Sequence, residues 1–123
     1  MKLTATEETL MQHLWASGKA FMKDLLDAYP EPKPAPTTVA TLLKRMADKG
    51  FVAYREYGNS REYYPLVSRD DYFSQHINGV IKTFFNNSAA QFASFFTTET
   101  NLSATELAAL RDIIDHEIKR KTP

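Results

Sequence analysis

No cysteine occurs among the 123 residues, which excludes disulfides, thiolate metal sites and a cysteine nucleophile, and suits a reducing, cytoplasmic setting. Glycine is scarce, at four, and the four form no phosphate-cradling loop. No run of about 18 apolar residues is present, so no membrane insertion is expected, and the opening MKLTATEETL lacks the apolar stretch of a signal peptide. His13, His76 and His116 are scattered, without paired-ligand spacing, an HExxH pair or an EF-hand loop. There is no GxSxG either. Asp70-Asp71 is a carboxylate pair, but it stands at an expected helix start, where negative charge suits the helix dipole. These absences predict no enzyme, no metal and no cofactor.

Net charge is absent as well, with 15 basic against 15 acidic residues. The distribution is uneven. Between positions 33 and 61 lie Lys33, Lys44, Arg45, Lys49, Arg55 and Arg61, against only Asp48 and Glu56, so six minus two leaves +4 there and −4 elsewhere. Positive charge concentrated in one segment is what phosphate contact requires.

That segment also carries the clearest order of elements. Pro36 suits the first turn of a helix, and Val39, Leu42, Leu43 and Met46 fall on one side of it. Thr37, Thr41 and Lys44 fall almost opposite, flanked by Thr38 and Arg45. Threonine is a mediocre helix former; capping by Thr37 or Thr38 explains one of the three, not all. Hydroxyls and methyls of this size can bond phosphates or base edges and touch a thymine methyl. Lys49-Gly50 ends the helix, and Phe51–Tyr57, the turn signal Gly58-Asn59-Ser60 and Arg61–Leu66 predict a β-hairpin. Helix 36–49 and wing 51–66 thus read as a groove helix with a wing whose arginines, Arg55 and Arg61, flank the tip.

Around this unit, Thr4 with Glu7 forms a capping box for a helix carrying Leu10, Met11, Leu14 and Trp15, the last taken as a core anchor, and Gly18 stops it. A short helix near 22–29 precedes a connector stiffened by Pro30, Pro32, Pro34 and Pro36. Ser68 and Ser103 start later helices with an acidic residue three positions on; a further short helix covers 89–96, and 97–101 reads as a loop. The C-terminal third holds more large apolar side chains than three short helices can bury. Pairing with a second copy through Phe73, Ile77, Phe84, Phe92, Leu107, Leu110 and Ile114 resolves that excess. The predicted fold is mainly α with a small β-hairpin wing: a winged helix-turn-helix DNA-binding domain at 1–68 and a helical dimerisation domain at 69–123.

LTATEETLMQHLW, TTVATLLKRMADKGFV, REYYPLVSRDDY and LSATELAALRDII together resemble the penicillinase-repressor (BlaI/MecI) family of bacterial winged-helix regulators, over almost the whole chain. The resemblance implies a cytoplasmic homodimeric repressor of the antibiotic-resistance type that binds a pseudo-palindromic double-stranded DNA operator. It gives Thr37, Thr38, Thr41, Lys44 and Arg45 the groove or backbone role, and Asn59 and Arg61 the wing role. Many members are inactivated when a membrane sensor protease triggers cleavage in the dimerisation region. Alignment sets that bond at Phe95-Phe96, where the asparagine that precedes it in antibiotic-resistance members is missing. Copper-responsive relatives carry C-terminal cysteine motifs, which this chain does not. Zero net charge and the proline connector leave a second reading, a winged-helix module that binds a protein partner through the same surface.

Overall fold

The computed structural model describes residues 2–123. In chain order the elements are α1 (Ala5–Ser17), β1 (Ala20–Phe21), α2 (Met22–Ala28), α3 (Pro36–Asp48), β2 (Val52–Tyr57), β3 (Ser60–Pro65), α4 (Arg69–Phe84), α5 (Ala89–Glu99) and α6 (Ala104–Lys121). The chain divides into two compact units, Met1–Ser74 and Gln75–Pro123.

In the first unit the hairpin gains a third strand. The sheet is antiparallel in the order β1-β3-β2, with Ala20 opposite Tyr63 and Phe21 opposite Glu62. Two residues are too few to leave a periodic signal, which is why β1 went unseen in the sequence. Pro65 ends β3 opposite Val52, beyond the reach of β1, where its missing N–H costs no ladder bond on that side. Leu10, Met11 and Leu14 of α1, Leu25 of α2, Val39, Leu43 and Met46 of α3, and Val52 and Tyr63 of the sheet form one buried core. Burying such side chains contributes about 1.5–3 kcal/mol each before the entropy of ordering is subtracted.

Three polar contacts fix the edges of this unit. Trp15 packs against the core and donates its Nε1–H to the Val67 carbonyl at 2.8 Å. Tyr72, in the first turn of α4, donates to Glu8 Oε2 at 2.6 Å and meets the rings of Trp15 and Phe51. That packing groups the first turn of α4 with the N-terminal unit, later than the 68/69 boundary read from the sequence. Burial first, then the Glu8 carboxylate, push the Tyr72 phenol up to about 12. The third contact is unexpected: Glu7, the acidic half of the α1 capping box, is 1% exposed and its Oε1 accepts from Lys49 Nζ at 2.5 Å.

In the second unit α4 ends in a turn where Asn86 (φ 52°) and Asn87 (φ 59°) both adopt the left-handed conformation that asparagine tolerates better than most residues. Ser88 then caps α5 by accepting from the Gln91 N–H. α5 runs on to Glu99, so 97–99 is helix and not the expected loop; the Thr97 and Thr98 hydroxyls bond back to the Ala93 and Ser94 carbonyls within it. Ser103 and Glu106 complete a capping box for α6. Phe85 meets Phe92 and Phe95 at ring distances of 5.6 and 5.5 Å, and Phe92 stacks on Phe96. No residue of α4, α5 or α6 is buried.

Candidate nucleic-acid interface

The inward face of α3 is committed to the core through Val39, Leu42, Leu43 and Met46, and that commitment fixes which side chains point out. Thr37, Thr38, Thr41, Lys44 and Arg45 are all exposed. The N-cap of α3 is Ala35, with no side-chain cap, and Pro36 occupies the first turn. Capping therefore explains none of the threonines, which removes the structural account that the sequence left open for one of them. Thr41 donates its hydroxyl to the Thr37 carbonyl one turn back at 2.9 Å. With the proton so placed, its outward capacity is acceptor lone pairs and a methyl, a pattern suited to an exocyclic amino group or a thymine methyl.

The end of α3 determines where the wing starts. Gly50 (φ 85°) follows the C-cap Lys49; its N–H reaches the Ala47 carbonyl, and the Phe51 N–H reaches the Met46 carbonyl at 2.9 Å. These are the two bonds of a Schellman motif, and the buried Phe51 and Met46 supply its hydrophobic contact. The wing is thus attached to the helix by a defined turn. At its tip, Gly58 (φ 61°) and Asn59 form a two-residue loop between the paired Tyr57 and Ser60.

Register separates the two wing arginines. Arg55 lies opposite Glu62, and Arg61 opposite Glu56, so they occupy different faces of the ribbon. Arg61 shares its face with the buried Val52 and Tyr63, and its guanidinium lies over the Tyr54 ring, 4.3 Å from the centroid. Tyr63 first, then Tyr54, hold the Arg61 pKa above its ordinary value, so it remains cationic. Arg55 sits over Tyr64 at the longer distance of 5.9 Å.

The structure also revises the charge argument. Lys33 donates from Nζ to the Leu26, Asp27 and Tyr29 carbonyls, serving the end of α2. Lys49 is bound to Glu7. Two of the six basic residues of the 33–61 segment therefore serve the fold, leaving Lys44, Arg45, Arg55 and Arg61 exposed for a phosphate. Sequence reasoning missed both engagements; the lysine in the middle of the proline connector is the one signal that could have pointed to the first. His13 is half-buried with its ring edge-on to Tyr29, while His76 and His116 are exposed on separate helices. Among the described residues no cluster of side chains could hold a metal ion, and no helix is long and apolar enough to cross a membrane.

None of the predicted pairing residues is buried. Phe73 is 60% exposed, Phe84 75%, Ile114 56% and Leu107 37%, whereas Ile77, Phe92 and Leu110 are half-buried. Phe95 and Phe96 lie inside α5, exposed and helical.

The family model for the penicillinase repressor matches residues 3–116, and the chain belongs to that family, one of transcriptional repressors. Methicillin resistance regulatory protein MecI of Staphylococcus aureus is 26% identical over 119 residues, spanning 93% of this chain and 94% of that protein. The penicillinase repressor of Bacillus licheniformis is 25% identical over 87 residues, 71% of this chain and 68% of its own. Among solved structures, BpsR of Bordetella bronchiseptica, whose DNA binding is regulated by 6-hydroxynicotinic acid, aligns over 96% of this chain and 76% of that one, with a TM-score of 0.48 and 14% identity.

Proposed function

We propose that this member of the penicillinase repressor family is a homodimeric repressor that reads a pseudo-palindromic duplex operator through α3 and the β2–β3 wing. The observation that carries the reading is the outer face of α3. Thr37, Thr38, Thr41, Lys44 and Arg45 stand exposed on a helix whose other face is locked into the core, and none of them caps it. A rigid helix presenting hydroxyls, methyls and cations is suited to a major groove, and the Schellman turn holds the wing beside it for backbone contact with Arg61 and Asn59.

Dimerisation is supported by the uncovered apolar side chains of α4, α5 and α6. One winged helix offers few phosphate contacts; two held at half-site spacing gain about 10²–10⁴ in avidity. Relief by a membrane sensor protease acting at Phe95-Phe96 fits the exposure of that bond, but α5 must unwind locally first, because a bond within a helix is not presented in extended form.

Selection from a random DNA pool followed by titration with purified protein tests the reading. The expected result is a selected sequence with two inverted half-sites centred about 10 base pairs, or a multiple, apart. Absence of binding to any duplex at low salt would overturn it.

A further inference from the structure

We infer that Tyr54 is a positioning residue for the wing: it holds the Arg61 guanidinium by its flat face so that its N–H edge stays available to a phosphate oxygen of the DNA backbone. This rests on the DNA-binding reading above and names a residue that reading does not contain.

The geometry is a diagonal across the ribbon. Tyr54 pairs with Tyr63, and Arg61 lies two residues before Tyr63 on the same face, so the Tyr54 ring and the guanidinium are diagonal neighbours. The contact is 4.3 Å from the guanidinium carbon to the ring centroid, well inside cation–π range. The ring is itself placed by the buried Tyr63, at 5.6 Å between centroids. Arg61 therefore joins a ladder that starts in the core and ends at the solvent.

The partner that Arg61 does not take is as informative. Glu56 is directly opposite in the register, yet the ion pairs among the described residues are Glu7–Lys49 and Glu117–Arg120. An arginine paired with Glu56 would spend its in-plane donors on a carboxylate. Stacked on Tyr54, it uses its π face, and beyond the donor that faces the Tyr63 hydroxyl its in-plane N–H groups stay available for a phosphate. Ordering the side chain before contact also lowers the entropy lost on binding. Arg55, on the other face and at 5.9 Å from its ring, lacks this arrangement.

A double-mutant cycle on the full chain tests this, using a duplex of about 30 base pairs selected by the wild-type protein, long enough for two half-sites. Tyr54→Leu is expected to weaken binding about two- to five-fold per wing, the range of an exposed cation–π contact, while Tyr54→Phe, which keeps the ring, restores most of it. In an Arg61→Ala background, where the salt slope is already reduced by about one, Tyr54→Leu is expected to add nothing. Adding Glu56→Gln to Tyr54→Leu is expected to recover part of the loss, by removing the carboxylate that would capture the released guanidinium. If Tyr54→Leu weakens binding equally with and without Arg61, the residue merely supports the hairpin and the inference is overturned. An unchanged affinity for Tyr54→Leu overturns it as well. A wild-type protein that selects no duplex overturns the DNA-binding reading itself, and this inference with it.

Discussion

The N-terminal unit buries thirteen apolar side chains in one cluster, while α4, α5 and α6 bury none. The difference is not one of composition, because the C-terminal helices carry as rich a set of Phe, Leu and Ile as the core does. It lies in what each set has to pack against. Leu10, Met11, Leu14, Leu25, Leu43 and Met46 meet a sheet and one another across three helices. Phe84, Ile113, Ile114 and Ile118 have no such layer. An exposed apolar surface of this kind is the observation behind the proposed pairing with a second copy, and the contrast is between a unit with a buried core and one whose apolar side chains stay exposed.

The sharpest way to break the contrast is to charge the uncovered face. Ile114→Glu is expected to lower operator affinity by about 10²–10⁴ through loss of the second half-site, with the thermal unfolding of the N-terminal unit unchanged by circular dichroism. In the closed unit the reverse holds. Leu43→Ala, which opens a cavity among fully buried neighbours, is expected to cost roughly 2–5 kcal/mol in urea unfolding, independent of protein concentration.

Next in size comes the Glu7–Lys49 pair. Lys49→Met leaves a buried carboxylate unpaired and is expected to cost roughly 2–3 kcal/mol, less than a fully buried pair because Lys49 is partly exposed. Burial pushes the Glu7 carboxyl up, but Lys49 and the Thr4 backbone and hydroxyl bonds outweigh it and hold the pKa below the ordinary 4.5. A carboxyl depressed in the folded state contributes stability that is complete above its unfolded value and is lost as pH falls through the folded one. Unfolding followed from pH 5 downward should therefore show a loss below about 4.5 that Lys49→Met diminishes. The smallest effect belongs to the reading face: Thr41→Ala is expected to cost about 1 kcal/mol of discrimination between cognate and altered half-sites, read by competition binding, with no change in stability.

Much of the secondary structure was legible because its signals are local. The Thr4–Glu7 and Ser103–Glu106 boxes, the glycine stops at Gly18 and Gly50, and the inward stripe of α3 each depend on residues within two turns of one another. The hairpin itself was legible from the turn signal, but Ser60, read as part of the turn, opens β3 opposite Tyr57, so the register that brings Tyr54 to Arg61 comes from the two-residue loop at Gly58-Asn59 that the structure shows. What escaped was non-local. Glu7 and Lys49 are 42 positions apart, and nothing in a capping box says that its glutamate will be buried against a lysine from another helix. β1 depends on Tyr63 and Glu62 arriving beside it. Lys33 escaped for a different reason: its partners are only four to seven positions back, but they are backbone carbonyls at the end of α2, which carry no side-chain signal.

Sedimentation velocity of the purified chain at micromolar concentration tests most directly the claim that α4, α5 and α6 are completed by a second copy. Twice 14.0 kDa, about 28 kDa, is the mass the account predicts, falling to the single-chain value on Ile114→Glu. A wild-type chain that sediments as a 14.0 kDa monomer would contradict it.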